Sequence, residues 1–415
     1  MTDQSPVPAA PLSDRAQKSA LGVLFLVVFI NLVGFGLIVP LLPFFAQSLD
    51  AEPWQVTLMF SAYSLGQFFA EPFWGRLSDR IGRKPVLIAT VAANAVGYLL
   101  LAFAPNIWAA ILIRLFTGLG AGNISTVQGY VADVTPPEKR AGRMGLIGAA
   151  FGLGFIVGPG LGGVLVREDL GHVGYNIPIF TAAALAALAA LATLILLKES
   201  RAKADPAAPR PAFLSGVQRA FGNPVVGRVL LVTLIYMGGF SGMESTFGLW
   251  TEARYGWGAR EVGFLFMAVG VISVTCQGFL AGRLAKAFGE PRVLAAGCLL
   301  FGVGLVGQVL AHAEWLVPVM MGVGAFGMAL TMPNISAMIS RSVSPDEQGA
   351  MLGLNMAASS SARIIGPILA GAIFSYVGRD WPFLIGAALT VPAAVMAINA
   401  GRAYRRRQAE RSVAA

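Results

Sequence analysis

The stretch Gly75-Arg76-Leu77-Ser78-Asp79-Arg80-Ile81-Gly82-Arg83-Lys84-Pro85-Val86-Leu87 lies between two long apolar runs. It returns in worn form as Gly282-Arg283-Leu284-Ala285-Lys286-Ala287-Phe288-Gly289-Glu290-Pro291-Arg292-Val293-Leu294. Gly75, Arg76, Leu77, Gly82, Val86 and Leu87 each recur 207 residues later. Gly158-Pro159 likewise reappears as Gly366-Pro367, and Thr135-Pro136-Pro137-Glu138 resembles Ser344-Pro345-Asp346-Glu347. A repeat of this length implies two homologous halves and not a short-period solenoid.

Composition says what solvent those halves face. Hydrophobic residues make up 56% of the 415 residues and charged residues 12%, against roughly 25% charged in a soluble protein. The 50 glycines suit membrane helices, where small residues let backbones approach. Cys276 and Cys298 both fall in apolar runs, and no metal-ligand or disulfide spacing is present. The polar, Pro-rich start lacks the apolar core of a signal peptide and reads as a tail, residues 1–19.

A bilayer core takes about 20 apolar residues per helix. Twelve runs qualify, at roughly 20–45, 54–74, 85–104, 107–132, 144–166, 177–198, 226–250, 261–282, 292–311, 315–340, 350–377 and 382–401. The expected fold is therefore all-α: twelve transmembrane helices in two six-helix halves, 20–198 and 226–401, with a linker at 199–225 and a tail at 402–415. The linker's mix of Pro and charge between Lys203 and Pro211 disfavours a packed core, with a surface helix expected at 216–221. Lys and Arg gather in the even-numbered connections, whereas the odd ones hold Arg167, Arg254, Arg260 and Arg379. By the positive-inside rule both termini are cytoplasmic. The net charge of +9 follows from that bias and forms no single nucleic-acid-binding face. Paired membrane-embedded halves are an architecture of secondary transporters, with the substrate site between them.

Four motifs make the chain resemble the major facilitator superfamily, in its twelve-helix drug:proton antiporter branch. They are the 75–87 loop; Gly34-Phe35-Gly36-Leu37-Ile38-Val39-Pro40 in the first span; Arg114-Leu115-Phe116-Thr117-Gly118-Leu119-Gly120 in the fourth; and Gly154-Phe155-Ile156-Val157-Gly158-Pro159-Gly160-Leu161-Gly162-Gly163 in the fifth. The last is the motif associated with antiport, so the resemblance implies export. Residues 249–257 and 282–289 look like the second half of tetracycline exporters. Those exporters carry acids where this chain has Asn31 and, in the ninth span, Leu299, Leu300 and Phe301. A lipophilic or cationic drug therefore fits better than a metal–tetracycline complex. The resemblance further implies a bacterial inner-membrane protein that acts as a monomer, without cofactor, and takes protons and a small lipophilic substrate as partners.

Several residues are candidates for this work. Asp79 is suited to the start of a helix in the other half, near Ala350, where free N–H groups and the dipole favour an anion. Gly75, Gly82, Arg80, Arg83 and Asp133 would complete that cytoplasmic latch; the bland alternative is a solvated basic loop. Gly154, Gly158, Gly160, Gly162 and Gly163, with the kinking Pro159, form a smooth stripe. It is either a seam against the eighth span or packing within one half. Arg114 must face a cavity or a partner, either tuning a carboxylate or bonding carbonyls near Gly34. Arg363 and Glu71 are expected to pair across the halves, unless Glu71 snorkels. Glu244 is the clearest intramembrane acid and the candidate proton carrier, with Arg114 and Glu71 as helpers, unless it pairs permanently with Arg114. Asn31, Gln67, Asn123, Gln128, Tyr236, Gln277 and Asn334 are isolated polar residues, either cavity contacts or interhelical glue. Phe240, Met243, Phe247 and Trp250 are candidates for an adaptable apolar wall.

These readings lead to a proton-coupled exporter of small lipophilic compounds. A metabolite or sugar exporter is the second reading, and it would need more paired polar residues. A membrane enzyme would need a catalytic cluster, and neither His172 nor His312 lies in a span.

Overall fold

The computed structural model describes residues 14–200 and 213–414. The expected tail before residue 14 and the Pro-rich tether at 201–212 lie outside the described residues. The described chain is helical. The helices before the tether are α1 (Asp14–Ile38), α2 (Leu42–Gln47), α3 (Pro53–Ile81), α4 (Arg83–Ala102), α5 (Ile107–Ala121), α6 (Ile124–Val134), α7 (Arg140–Leu165) and α8 (His172–Leu196). Those after it are α9 (Phe213–Gly222), α10 (Pro224–Tyr255), α11 (Ala259–Thr275), α12 (Gly282–Phe288), α13 (Glu290–Leu310), α14 (Leu316–Arg341), α15 (Pro345–Tyr376) and α16 (Trp381–Ala414). Helices satisfy their own backbone hydrogen bonds, which an apolar solvent demands. Among the described residues eleven helical stretches are long and apolar enough to cross a membrane. α3 has 29 residues but carries Glu71, Arg76, Asp79 and Arg80 on its second half. The expected surface helix near 216–221 is α9.

The internal repeat is visible in the backbone. α3 passes into α4 through Gly82 alone, at φ 105°, and α12 into α13 through Gly289, at φ 83°. Only glycine takes up such angles without a steric penalty. The repeat is visible in packing too. Gly158 of α7 lies against Val33 and Leu37 of α1, and Gly366 of α15 lies against Gly238 of α10.

Three expected spans are interrupted. The first stops at Ile38, two residues before Pro40, and resumes as the short α2; the residue before a proline is pushed out of the helical region. The fourth breaks at Gly122–Asn123. A Cβ on Gly122 would sit 2.6 Å from the Glu71 nitrogen, so α3 presses on the chain there. The eighth is joined by a π-helical stretch, Cys276–Ala281, between α11 and α12.

The helices before and after the tether meet most extensively along two contacts, and α10 also touches α2 and α3. α3 lies on α15, where Ser61 Oγ donates to the Ile364 carbonyl at 2.8 Å and Gly371 abuts Thr57. α7 lies on α11.

Candidate functional site

The α7–α11 contact is built from glycine. A Cβ on Gly152, Gly160 or Gly163 would lie 2.5 Å from Val274 Cγ2, 2.6 Å from Met267 Sδ or 2.9 Å from the Arg260 oxygen. α11 answers with Gly263 and Gly270, whose added Cβ atoms would meet the Pro159 oxygen at 2.7 Å and the Phe155 oxygen at 2.9 Å. Of the stripe expected to form this seam, Gly160 and Gly163 lie in it. Gly154, Gly158 and Gly162 instead face α1, with added Cβ atoms 2.6 Å from Leu32 Cβ, 2.7 Å from the Val33 oxygen and 2.8 Å from the Leu37 oxygen. At 3.6 residues per turn the two rows lie on nearly opposite faces. The motif glycines thus divide between the faces: three lie against α7's own set of helices and two against the other set.

The seam is closed at one end only. Toward the end that carries the 75–87 loop, hereafter the basic end, Gly142, Gly145 and Gly148 on α7 have no atom within 4 Å of an added Cβ. The same holds for Gly278 and Gly282 beyond the seam on the other side. The gap widens into a cavity of about 780 Å³. Its wall includes Gly36, Phe155 and Pro159 from one side and Tyr236, Phe240, Met243, Phe266, Phe301, Met321, Met328 and Met332 from the other. Methionine and aromatic surfaces of this kind adapt to varied shapes. Of the polar residues expected in a cavity, Tyr236 and Gln277 line it, whereas Asn31, Gln67, Asn123, Gln128 and Asn334 do not. Asn123 Nδ2 donates to Thr90 Oγ1 at 3.2 Å, and Asn334 Nδ2 to the Leu330 carbonyl at 2.7 Å, so both serve helix packing. Phe247 and Trp250 are core residues; the Trp250 indole donates to Asp380 at 2.7 Å. The sequence reading missed Ser273 and Gln308, which also line the cavity, and the methionines of α14. The spacing of Met321, Met328 and Met332 along one helical stripe was the available signal.

An ion pair sits at the cavity wall. Glu244 of α10 is buried, and its Oε2 lies 3.4 Å from Arg363 Nη2 of α15. The expected Glu71–Arg363 pair gives way to this one. Glu71 lies at the α5–α6 break, where its carbonyl accepts from Ser125 Oγ at 3.4 Å. Arg114 is 1% exposed and stacks on Tyr63, with its guanidinium carbon 4.3 Å from the ring centroid. Cation–π contact suits a desolvated guanidinium. Its Nε and Nη1 have no hydrogen-bond partner. Arg114, Tyr63, Glu244 and Arg363 border one narrow cleft between the two sets of helices. Arg114 and Glu244 are thus brought together around a gap without being bonded to each other.

At the basic end Arg83, not Arg80, organises the charges. Arg83 lies 2.9 Å from Asp79 and 3.0 Å from Asp133, and its Nη1 donates to Ser78 Oγ at 2.7 Å. Arg80 is exposed. Asp79, expected at the start of α15 near Ala350, is paired with Arg83 one turn on. The acid at the start of α4 is Glu199, which accepts from the Arg83 and Lys84 N–H groups at 2.8 and 3.1 Å. Its carboxyl carbon would be 2.8 Å from a Cβ on Gly82. At the opposite end an acid does cross between the sets. Glu168 accepts from the Ala259 N–H at 2.7 Å, at the start of α11, where the helix dipole favours an anion.

The fold has known counterparts. A tetracycline resistance protein, class C, from Escherichia coli is 30% identical over 381 residues, covering 90% of this chain and 94% of the relative. Multidrug resistance protein 2 of Bacillus subtilis (strain 168) is 27% identical, covering 90% and 92%. A bacterial homolog of the human lysosomal transporter Spinster, solved inward-facing and unoccupied, superposes with a TM-score of 0.74 at 16% identity, covering 95% of this chain and 97% of that one. The model of the Major Facilitator Superfamily matches residues 24–280 and again 255–414. The chain belongs to the major facilitator superfamily.

Proposed function

We propose that this protein is a proton-coupled antiporter that exports small lipophilic or cationic compounds by alternating access. It would cross the membrane twelve times, α3 supplying the span that hydropathy alone passes over, as two six-helix halves with both termini in the cytoplasm. The basic end is then cytoplasmic and the cavity opens inward. The observation that carries the reading is the cavity itself: about 780 Å³ walled mainly by aromatic, methionine and glycine residues, with a few polar side chains and the pair of buried Glu244 with half-buried Arg363. An apolar site with few polar groups takes lipophilic molecules, and a sugar site would be the reverse. The relatives named for tetracycline and multidrug resistance support the same direction.

In this mechanism Glu244 carries the proton. Ionised, it holds Arg363 and offers a negative group to a cationic substrate entering from the cytoplasm. The loaded protein closes at the basic end and opens at the other. There a proton taken up on the Glu244 carboxylate cancels its charge, and the cation leaves. The emptied carrier turns back and Glu244 releases the proton inside. Arg114 borders the same cleft. Asp79, Arg80, Arg83 and Asp133, around the Gly82 turn, would form the latch that holds the basic end shut in the outward-open state, and Glu168 holds the other end shut in the state described.

The test is drug-induced proton movement in proteoliposomes. Glu244→Gln mimics the protonated carboxyl, so it should bind cationic substrates more weakly than the wild type, still bind uncharged lipophilic ones, and lose uphill efflux. Proton exchange at the wild-type rate in that variant removes Glu244 from the role.

A further inference from the structure

On the outer surface, α13 and α16 form a corner that ends in arginine. The two helices pack closely. A Cβ on Gly302 of α13 would meet the Ala387 oxygen at 3.3 Å, and one on Gly401 of α16 would lie 2.5 Å from Pro291. Their outward faces read as stripes. On α13 the exposed residues include Arg292, Ala296, Leu299, Val303 and Leu310. On α16 they include Ala388, Val391 and Val395, then Arg402 and Arg406, with Arg405 beside them. Steps of three, four and seven residues keep each set on one side of its helix. None of these residues lines the cavity, and buried Leu294, Phe301, Ala393 and Ala397 take the inner side. The stripes therefore face the bilayer, and both change from apolar residues to arginine at the basic end. Arg292 and Arg402 each lie one residue from the contact of Pro291 with Gly401.

These arginines have little protein to bond. Arg402 Nη1 donates to Asn399 Oδ1 at 3.4 Å, on its own helix. Among the described residues none of Arg292, Arg402, Arg405 and Arg406 forms an ion pair. Glu290, beside Arg292 in the chain, is taken by Arg341 at 2.7 Å. The helix dipole does not account for the cluster, because it acts within the last turn and α16 runs on to Ala414. The counterpart corner in the first half, where α8 meets α4, carries acids among its cations. Arg83 there is buried on Asp79 and Asp133, and Glu199 covers the start of α4 beside exposed Lys198.

We propose that the α13–α16 corner at the basic end is a binding site for an anionic phospholipid of the surrounding bilayer. The guanidinium groups of Arg292, Arg402, Arg405 and Arg406 hold its phosphate, and its acyl chains lie along Leu299, Val303, Val391 and Val395. Guanidinium meets phosphate through forked, charge-assisted hydrogen bonds. Each basic side chain at the headgroup level strengthens the attraction of an anionic lipid roughly fivefold. A phosphodiester without an amine, as in phosphatidylglycerol, suits this set of unpaired cations. A zwitterionic head brings an ammonium to a corner where Glu290 is already taken. The site is independent of what the cavity carries.

Native mass spectrometry of the full-length protein in non-ionic detergent resolves successive lipid adducts. The protein is titrated with phosphatidylglycerol and, separately, with phosphatidylcholine of the same acyl chains. The wild type should bind its first phosphatidylglycerol at least about 20-fold more tightly than phosphatidylcholine. The triple variant Arg402→Gln, Arg405→Gln, Arg406→Gln should weaken that step about tenfold or more. Its phosphatidylcholine binding should stay within about threefold of the wild type, which also shows that it is folded. Arg292→Gln, on the other helix, should weaken the step roughly fivefold. Lys198→Gln, at the counterpart corner, should leave it unchanged. A large excess of glycerol 3-phosphate should not displace the lipid, since it offers the phosphate without the chains. Equal affinity of the wild type for the two lipids would overturn the proposal. So would an unchanged triple variant, or one that loses both lipids equally. An unchanged Arg292→Gln variant, or a Lys198→Gln variant as weak as the triple one, would overturn the placement at this corner. Displacement by glycerol 3-phosphate would make it a site for soluble phosphate and overturn the lipid assignment.

Discussion

α7 carries glycine on two opposite faces. Gly158 and Gly162 meet backbone oxygens of α1, at 2.7 and 2.8 Å from an added Cβ. On the other face Gly152 and Gly160 meet the tips of Val274 and Met267 on α11, and Gly163 meets the Arg260 oxygen at 2.9 Å. Backbone cannot move without dragging its helix, whereas a methionine swings aside. The first face is a joint within one set of helices. The second is a contact between sets that mixes backbone and side-chain neighbours, and it alone opens along its length. Small residues in a membrane helix therefore carry no single meaning. What they touch decides whether they hold or slide.

The comparison breaks first if the face toward α1 tolerates bulk. Gly158→Leu should cost about 3 kcal/mol or more in stability, because the helices must part. The readout is the thermal unfolding midpoint of purified protein, with recovery after extraction as a second measure. A variant that melts like the wild type would mean α1 and α7 are not locked. Gly163→Val comes next. Its Cβ would meet the Arg260 oxygen at 2.9 Å, backbone of the other set. The fold should survive while the closed end is prised apart. A cost of about 1.4 kcal/mol borne by one state alone moves the two-state equilibrium about tenfold. Spin-label distances between α7 and α11 near residues 163 and 260 should lengthen in a matching fraction of molecules. An unchanged distribution together with a lower melting point would make this face a fixed joint as well. The smallest effect belongs to Gly160→Ala, where the added methyl meets only Met267 Sδ at 2.6 Å. Rotation of that flexible side chain should hold the change within about 0.5 kcal/mol. A loss as large as that of Gly158→Leu would erase the distinction between backbone and side-chain contacts.

The architecture was legible because it is written in repeats and in solvent. The Gly82 and Gly289 turns announce themselves by spacing, and both take the same left-handed backbone. Apolar length marked the long helical stretches, the run at 54–74 in α3 among them. Gly66 and Gly118 hint at the close α3–α5 packing that places Arg114 over Tyr63, yet nothing in the string says which ring receives it. The site was legible in its ingredients and not in its pairings. Glu244, Arg363, Phe240 and Met243 were recognisable from chemistry, because ionisable or adaptable side chains stand out in an apolar helix. Whether Arg363 takes Glu71 or Glu244 depends on how α10 and α15 cross, and crossing angles are set by packing over many residues. Gln308 and Asn334 look alike in the string, each a lone amide in an apolar run. One lies in the cavity wall and the other bonds its own helix, and a rotation of less than one turn separates those fates.

The π-helical stretch between α11 and α12 has a mechanical consequence. A π turn takes in an extra residue, so hydrogen bonds on one side lengthen and the helix axis bends there more readily than in a regular helix. On one side of Cys276–Ala281 lie Gly263 and Gly270, pressed into α7; on the other lies Gly282, with open space around it. The rod is clamped at one end and free at the other, with its compliant joint between. A bend at that joint would move Gly282 while leaving the contacts of Gly263 and Gly270 in place.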